Sequence, residues 1–111
     1  METPLMMVGS IVVANCTSDV CDVGEMGVCY ESYALSGRAG YSIIFASGRH
    51  DGFSPEDIAA FLTVTDRVCD EISGYQFRNV IQLERDWQAG WFAPAFAVPL
   101  GGGRPCAKSL S

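Results

Sequence analysis

The sequence predicts an α+β fold in which a small, strongly bent antiparallel sheet is followed by two helices. Three observations carry this reading. Between residues 8 and 47, short apolar runs rich in Val, Ile, Tyr and Phe are separated by clusters of Gly, Ser, Asp and Arg, the pattern of strands joined by turns. At Ser54 the apolar spacing lengthens to three and four, and a proline and two acids open the new segment. Finally, 111 residues with no internal repeat, and no linker before a Gly-rich end, make one domain.

The first strand is "VGSIVVANC" (8–16), where Val8, Ile11, Val12 and Val13 supply β-branched bulk. "TSDVCDVGEMG" (17–27) reads as an acidic loop in which Gly24 and Gly27 allow the backbone angles needed to re-enter the sheet. "VCYESYAL" (28–35) is the second strand, and "SGRAG" (36–40) supplies turn residues. The third strand, "YSIIFAS" (41–47), carries Tyr41, Ile43 and Phe45 on one face and Ile44 and Ala46 on the other. Being apolar on both faces, it should be covered on both. "GRHDG" (48–52) reads as a turn.

"SPEDIAAFLTVT" (54–65) then opens a helix, with Ser54 as N-cap, Pro55 at the first helical position and Asp57 completing an acidic capping box. Ile58, Phe61, Leu62 and Thr65 mark its apolar face. "DRVCDEISGYQF" (66–77) has no clear period, and Gly74 ends whatever precedes it. "NVIQLERDWQAG" (79–90) is a second helix, capped by Asn79 with Gln82 three residues on, striped by Val80, Leu83 and Trp87, and stopped at Gly90. The prolines of "WFAPAFAVP" (91–99) disfavour a continuous helix, leaving an extended apolar segment that must fold back over its own sheet or lie on a neighbour. The expected organisation is one domain over 1–96, with a strand-rich part at 8–54, a helical part at 55–96 and a Gly-rich tail at 97–111.

Composition restricts the partners. Hydrophobic residues make up 49% of the chain and charged ones 18%, low for a small domain, so some apolar surface is expected to be covered outside the monomer. A homodimer is the simplest arrangement. The net charge is −6, all 13 acids lie at or before Asp86, and no Lys/Arg cluster offsets them, which argues against nucleic acid as partner. The apolar start has no positive residue before it, is interrupted at Gly9 and Ser10, and falls short of the ~20 residues that span a bilayer, so a cytoplasmic protein without membrane attachment is expected. Five cysteines cannot all pair within one chain, and in a reducing compartment the default for a thiol is a small buried hydrophobe.

"ANCTSDVCDVGEMGVCYESY" (14–33) concentrates three cysteines and four carboxylates. Its spacing, Cys16-x4-Cys21-x7-Cys29, lacks the two-thiolate turn of structural zinc sites, so neither metal nor cofactor is expected. His50 beside Asp51 invites a general-base reading, but neighbours on an extended chain point to opposite sides. Ser54 is accounted for as a cap. "GGGRP" (101–105) leads into no helix and lacks the Lys-Ser/Thr end of a phosphate loop. No catalytic residue is assigned. Trp91, Phe92 and Phe96, just past the second helix, read equally as core or as interface.

"VGSIVVANC", "GEMGVCYESY" and "GYSIIFASGRHDGFS" together resemble the strand pattern of SH3-like small barrels, including the KOW type, over residues 8–54. The resemblance implies a small barrel; the acidic balance departs from the KOW pattern, so that family's nucleic-acid role is not carried over. As a whole, the chain resembles small bacterial proteins carried in integron mobile gene cassettes, which implies no activity. In an SH3-like barrel the acidic loop corresponds to a peptide-binding loop. Asp19, Asp22 and Glu25, flanked by Tyr30 and Tyr33, are then candidates for binding a basic peptide or small cationic ligand, against the plainer reading of a solvated loop. The function expected is a non-enzymatic binding or adaptor module acting as a homo-oligomer. The alternative is a small hydrolase or small-molecule-binding enzyme with its site near His50 and Asp51. A deep pocket with convergent polar groups would favour the enzyme, and a shallow aromatic groove the module.

Overall fold

Residues 6–35 and 38–97 are described by the computed structural model of the chain. Of the turn expected over 36–40, residues 36 and 37 lie outside the described residues, and Arg38, Ala39 and Gly40 belong to a strand and not to a turn; of the tail expected over 97–111, Ala97 ends a helix and the rest lies outside the described residues. Five strands, β1 (Ser10–Ala14), β2 (Met26–Leu35), β3 (Arg38–Phe45), β4 (His50–Phe53) and β5 (Leu62–Val68), form one antiparallel sheet in the order β4-β3-β2-β1-β5. Helix α1 (Pro55–Phe61) links β4 to β5, and α2 (Asp70–Ser73), α3 (Val80–Gln88) and α4 (Ala93–Ala97) follow. The architecture is α+β, and the sheet is open, with β4 and β5 at its edges.

Period-two alternation divides the core in two. On one face, Val12 and Ala14 of β1, Cys29 of β2, and Tyr41, Ile43 and Phe45 of β3 meet Phe53, Ile58 and Leu62. On the other, Ile11, Val28, Tyr30 and Ile44 meet Ile72 of α2, Leu83 of α3 and Ala95 of α4. The third strand is thus covered on both faces, as its sequence requires; Ala46, beyond its end, is exposed. Each large side chain fully buried this way contributes roughly 1.5–3 kcal/mol before ordering costs. A bulge in β2 sets Tyr30 and Glu31 against Ser42, since Cys29 pairs with Ile43 and Glu31 with Ser42. The two glycines of the acidic loop act differently from each other. Gly24 has a φ of +85°, a turn position, whereas Gly27 lies inside β2, where a Cβ would sit 2.8 Å from both Ile43 and Phe45.

The capping box of α1 is complete: Ser54 Oγ accepts from Asp57 N at 3.1 Å, and Asp57 Oδ2 accepts from Ser54 N at 3.3 Å. Ser54→Ala is expected to lower the unfolding free energy by about 1 kcal/mol, measurable by urea denaturation; an unchanged midpoint would show that the cap contributes nothing.

The helix expected to run through Thr65 ends at Phe61, and the chain 55–96 is therefore not purely helical. From Leu62 (φ −129°, ψ 153°) the backbone is extended, and Leu62, Thr63 and Val64 pair with Ala14, Val13 and Val12 of β1. The free edge of β1 offers these residues a ladder of hydrogen bonds, and β-branched Thr63, Val64 and Thr65 fit a strand better than a helix. Thr65 Oγ1 donates to the Ile11 carbonyl at 2.7 Å.

Helix α3 begins and ends as its sequence indicates. Asn79 Oδ1 accepts from Gln82 N at 2.8 Å. At the far end Gly90 (φ +89°) donates to the Trp87 carbonyl and Trp91 N to that of Asp86, the paired bonds of a Schellman motif. Leu83 and Trp87 face inward, but Val80, expected in the same stripe, is exposed at the first helical position. The segment after Gly90 is not extended. Pro94 sits in the first turn of α4, where its missing N–H costs no helical bond, and the helix folds back so that Phe92 and Ala95 are fully buried.

Candidate functional site

The acidic loop between β1 and β2 is held by its own polar groups. Ser18 N donates to the Cys21 carbonyl, Val23 N to Thr17 Oγ1, and Glu25 N to the Asp22 carbonyl. Glu25 is the centre of the arrangement. Its Oε1 accepts from Asp22 N at 3.0 Å and its Oε2 from Ser47 N, in the β3–β4 turn, at 2.9 Å. Arg49 Nη2 lies 3.1 Å from Glu25 Oε1 and 3.4 Å from Asp22 Oδ2, while Arg49 Nε donates to Ser47 Oγ at 3.0 Å. Two of the three loop acids therefore already have a cation, supplied by the chain itself, and Asp19 is left exposed.

Burial works to raise the Glu25 carboxyl, but hydrogen bonds from Asp22 and Ser47 and the Arg49 guanidinium outweigh it and hold the group below its ordinary value of 4.5. The stabilisation is fully present above that unfolded value and is lost as pH falls through the lower folded one. Glu25→Gln is therefore expected to make the loss of stability below about pH 4.5 shallower, read from urea denaturation at a series of pH values. An acid limb as steep as in the parent would contradict the assignment.

The aromatic residues placed beside this loop do not join it. The β2 bulge leaves Tyr30 in the core beneath the helices, its ring 5.2 Å from Phe77 and 6.4 Å from Phe92, and burial pushes its hydroxyl up to about 12. Tyr33 is partly exposed and its ring lies over Gly40, where a Cβ would be 2.4 Å from it.

His50 is the first residue of β4, paired with Ile44, and not part of a turn. The turn lies before β4, with Gly48 (φ +95°) two residues ahead of His50, and Gly52 belongs to β4. The His50 ring stands edge-on to Tyr30 at 6.4 Å, with Nε2 3.8 Å from Glu84 Oε2 on α3. Asp51 Oδ1 accepts from Gly52 N at 2.8 Å. As neighbours on a strand the two side chains leave opposite sides of the sheet. His50→Ala is expected to cost about 1 kcal/mol and to leave the fold intact; unfolding at ambient temperature would show a larger packing role.

The buried thiols among the described residues are packing groups. Cys16, Cys21, Cys29 and Cys69 are free, and all but Cys16 are buried. Burial pushes Cys29 up to about 11, and its Sγ donates to the Glu31 carbonyl at 3.3 Å. Burial also raises Cys69, whose Sγ lies 3.3 Å from Glu71 Oε1. Among the described residues no group of three or more His, Cys, Asp and Glu side chains is arranged to hold a metal ion. No described helix is long and apolar enough to cross a membrane.

The described residues also form an open cleft of about 380 Å³ lined by Ala46, Trp87, Ala93 and Phe96. It lies where α3 and α4 meet the β3–β4 turn. Of the three aromatics considered for an interface, Phe96 lines this cleft and Trp91 is 50% exposed, its ring 5.6 Å from Tyr75. Phe92 is fully buried within its own chain, 5.0 Å from Tyr75, and is core. Trp87 and Ala46 were not legible as neighbours, because they come together only when α3 docks on a turn forty residues earlier in the chain. Comparison with protein-family models, with curated proteins and with solved structures gives no match.

Proposed function

We propose that the protein is a non-enzymatic, cytoplasmic binding module built on an SH3-like barrel, and that it works as a homodimer. The observation that carries this is the cleft: it is open, and among the described residues it is lined by Ala46, Trp87, Ala93 and Phe96, whose side chains include no acid, base or nucleophile and only one hydrogen-bond donor, the Trp87 indole N–H. A surface of this kind binds by excluding water. A second copy is the favoured occupant. Apolar Trp91, Ile81 and Val80 are also exposed on the helical layer, with Ile81 at 68%, and only 18% of the chain is charged.

The barrel reading is supported by a strand order in which the last strand returns beside the first, and by bulges in β2 and in the β1–β5 pairing that increase local twist. The acidic loop is a weaker candidate for ligand binding, since a cationic partner would have to displace Arg49. Ala93→Arg tests the proposal. Ala93 is exposed, so the substitution leaves the core intact while placing a charge in the cleft. Self-association by sedimentation should be weakened or lost in this variant and retained in Asp19→Asn. Equal association in both would remove the cleft from the interface.

A further inference from the structure

We propose that the β3–β4 turn is a mechanical link that transmits the state of the Glu25–Arg49 clamp to the Trp87 cleft. The four residues of this turn alternate in what they hold. Ser47 and Arg49 belong to the clamp: Ser47 N donates to Glu25 Oε2 at 2.9 Å, and Arg49 reaches Glu25 Oε1 at 3.1 Å. Ala46 and Gly48 belong to the cleft: Ala46 lines it, and a Cβ on Gly48 would stand 3.0 Å from two ring carbons of Trp87. The Trp87 ring is therefore in contact with turn backbone, with no flexible side chain between them.

The turn is stiff enough to act as one piece. Gly48 N donates to the Phe45 carbonyl and Phe45 N to the Arg49 carbonyl, both at 2.8 Å, and Ala46 N is fixed to the Met26 carbonyl at 3.0 Å. Gly48, at φ +95°, sets the path of the chain through the turn. Ser47 is held to Glu25 through its backbone N–H, so a shift that releases it carries the adjoining Gly48 along, and the Arg49 guanidinium, bound to both Glu25 and Ser47, opposes that shift. Packed contacts have few intermediate arrangements, so the ring follows or loses its seat. By reciprocity, whatever fills the cleft and presses on Trp87 biases the clamp by the same free energy. The cleft is thereby set by charges on the acidic loop that do not line it. This link does not depend on whether a second copy occupies the cleft.

The test uses the full chain carrying Trp91→Phe, which leaves Trp87 as the sole tryptophan and keeps an aromatic ring against Tyr75. Arg49→Met and Glu25→Ala are each introduced into this background, with Asp19→Asn as a loop charge outside the clamp. Trp87 emission and its quenching by acrylamide are recorded at high and low protein concentration, with far-UV circular dichroism confirming the fold. The expected result is a red shift and steeper quenching in both clamp variants, and neither in Asp19→Asn. Should a clamp variant fail to fold, Arg49→Lys keeps the charge but cannot hold Ser47 and Glu25 through one planar group, and should shift Trp87 in the same direction. Unchanged emission and quenching in folded clamp variants, or in Arg49→Lys, would overturn the proposal.

Discussion

Phe92→Ala is expected to lower the unfolding free energy by about 3–5 kcal/mol, read from urea denaturation followed by circular dichroism. Phe92 is fully buried between Tyr30 of β2 and Tyr75, which it meets at 6.4 and 5.0 Å. The residue follows directly on the Schellman turn that ends α3, and Ala95 N donates to its carbonyl at 3.0 Å. Truncation therefore leaves a cavity where β2, the segment after α2 and α4 converge. Total stability of a domain this size is about 5–15 kcal/mol, so the variant is close to the threshold of unfolding. A loss below about 1 kcal/mol, together with weakened association, would instead place Phe92 at an interface.

Phe45→Ala is expected to cost a similar amount, about 3–5 kcal/mol, from the opposite face of the sheet. Phe45 is fully buried, stands edge-on to Phe53 at 6.2 Å and lies against Gly27, which has no side chain to refill the space. Because the sheet separates the two phenylalanines, their effects should add within about 0.5 kcal/mol. The double variant is then expected to lose about 6–10 kcal/mol, most of the stability of a domain this size. Strong non-additivity would mean that the two cores do not behave as separate packing units.

Signals in the sequence are legible where the physics is local. The two-sided character of "YSIIFAS" follows from alternation within seven residues, and the caps at Ser54, Asn79 and Gly90 depend on partners three to five residues away. What failed to show was long-range. "LTVT" continues an apolar helical spacing, and only the free edge of β1, some fifty residues earlier, makes it a strand. The prolines of "WFAPAFAVP" count against a long helix but permit a five-residue one when a core is present to receive Phe92. At the candidate site, the acids of the loop were plain in the sequence, whereas their cation was not: Arg49 is 24 residues from Glu25 and carries no local mark of that role. The cleft has the same character, being made of residues from the turn, α3 and α4 that share no spacing.

We propose a homodimeric module whose apolar surface is completed by a second copy. A specific interface buries about 800 Å² per partner, about an eighth of the 6480 Å² accessible surface of the chain. On the helical layer, Val80, Ile81 and Trp91 add exposed apolar surface. Sedimentation of the full-length chain over a concentration series reaching tens of micromolar is the most direct measurement. A dimer whose population rises with concentration, and which Ala93→Arg shifts to monomer, is the predicted result; a single monomeric species throughout the series would contradict the account.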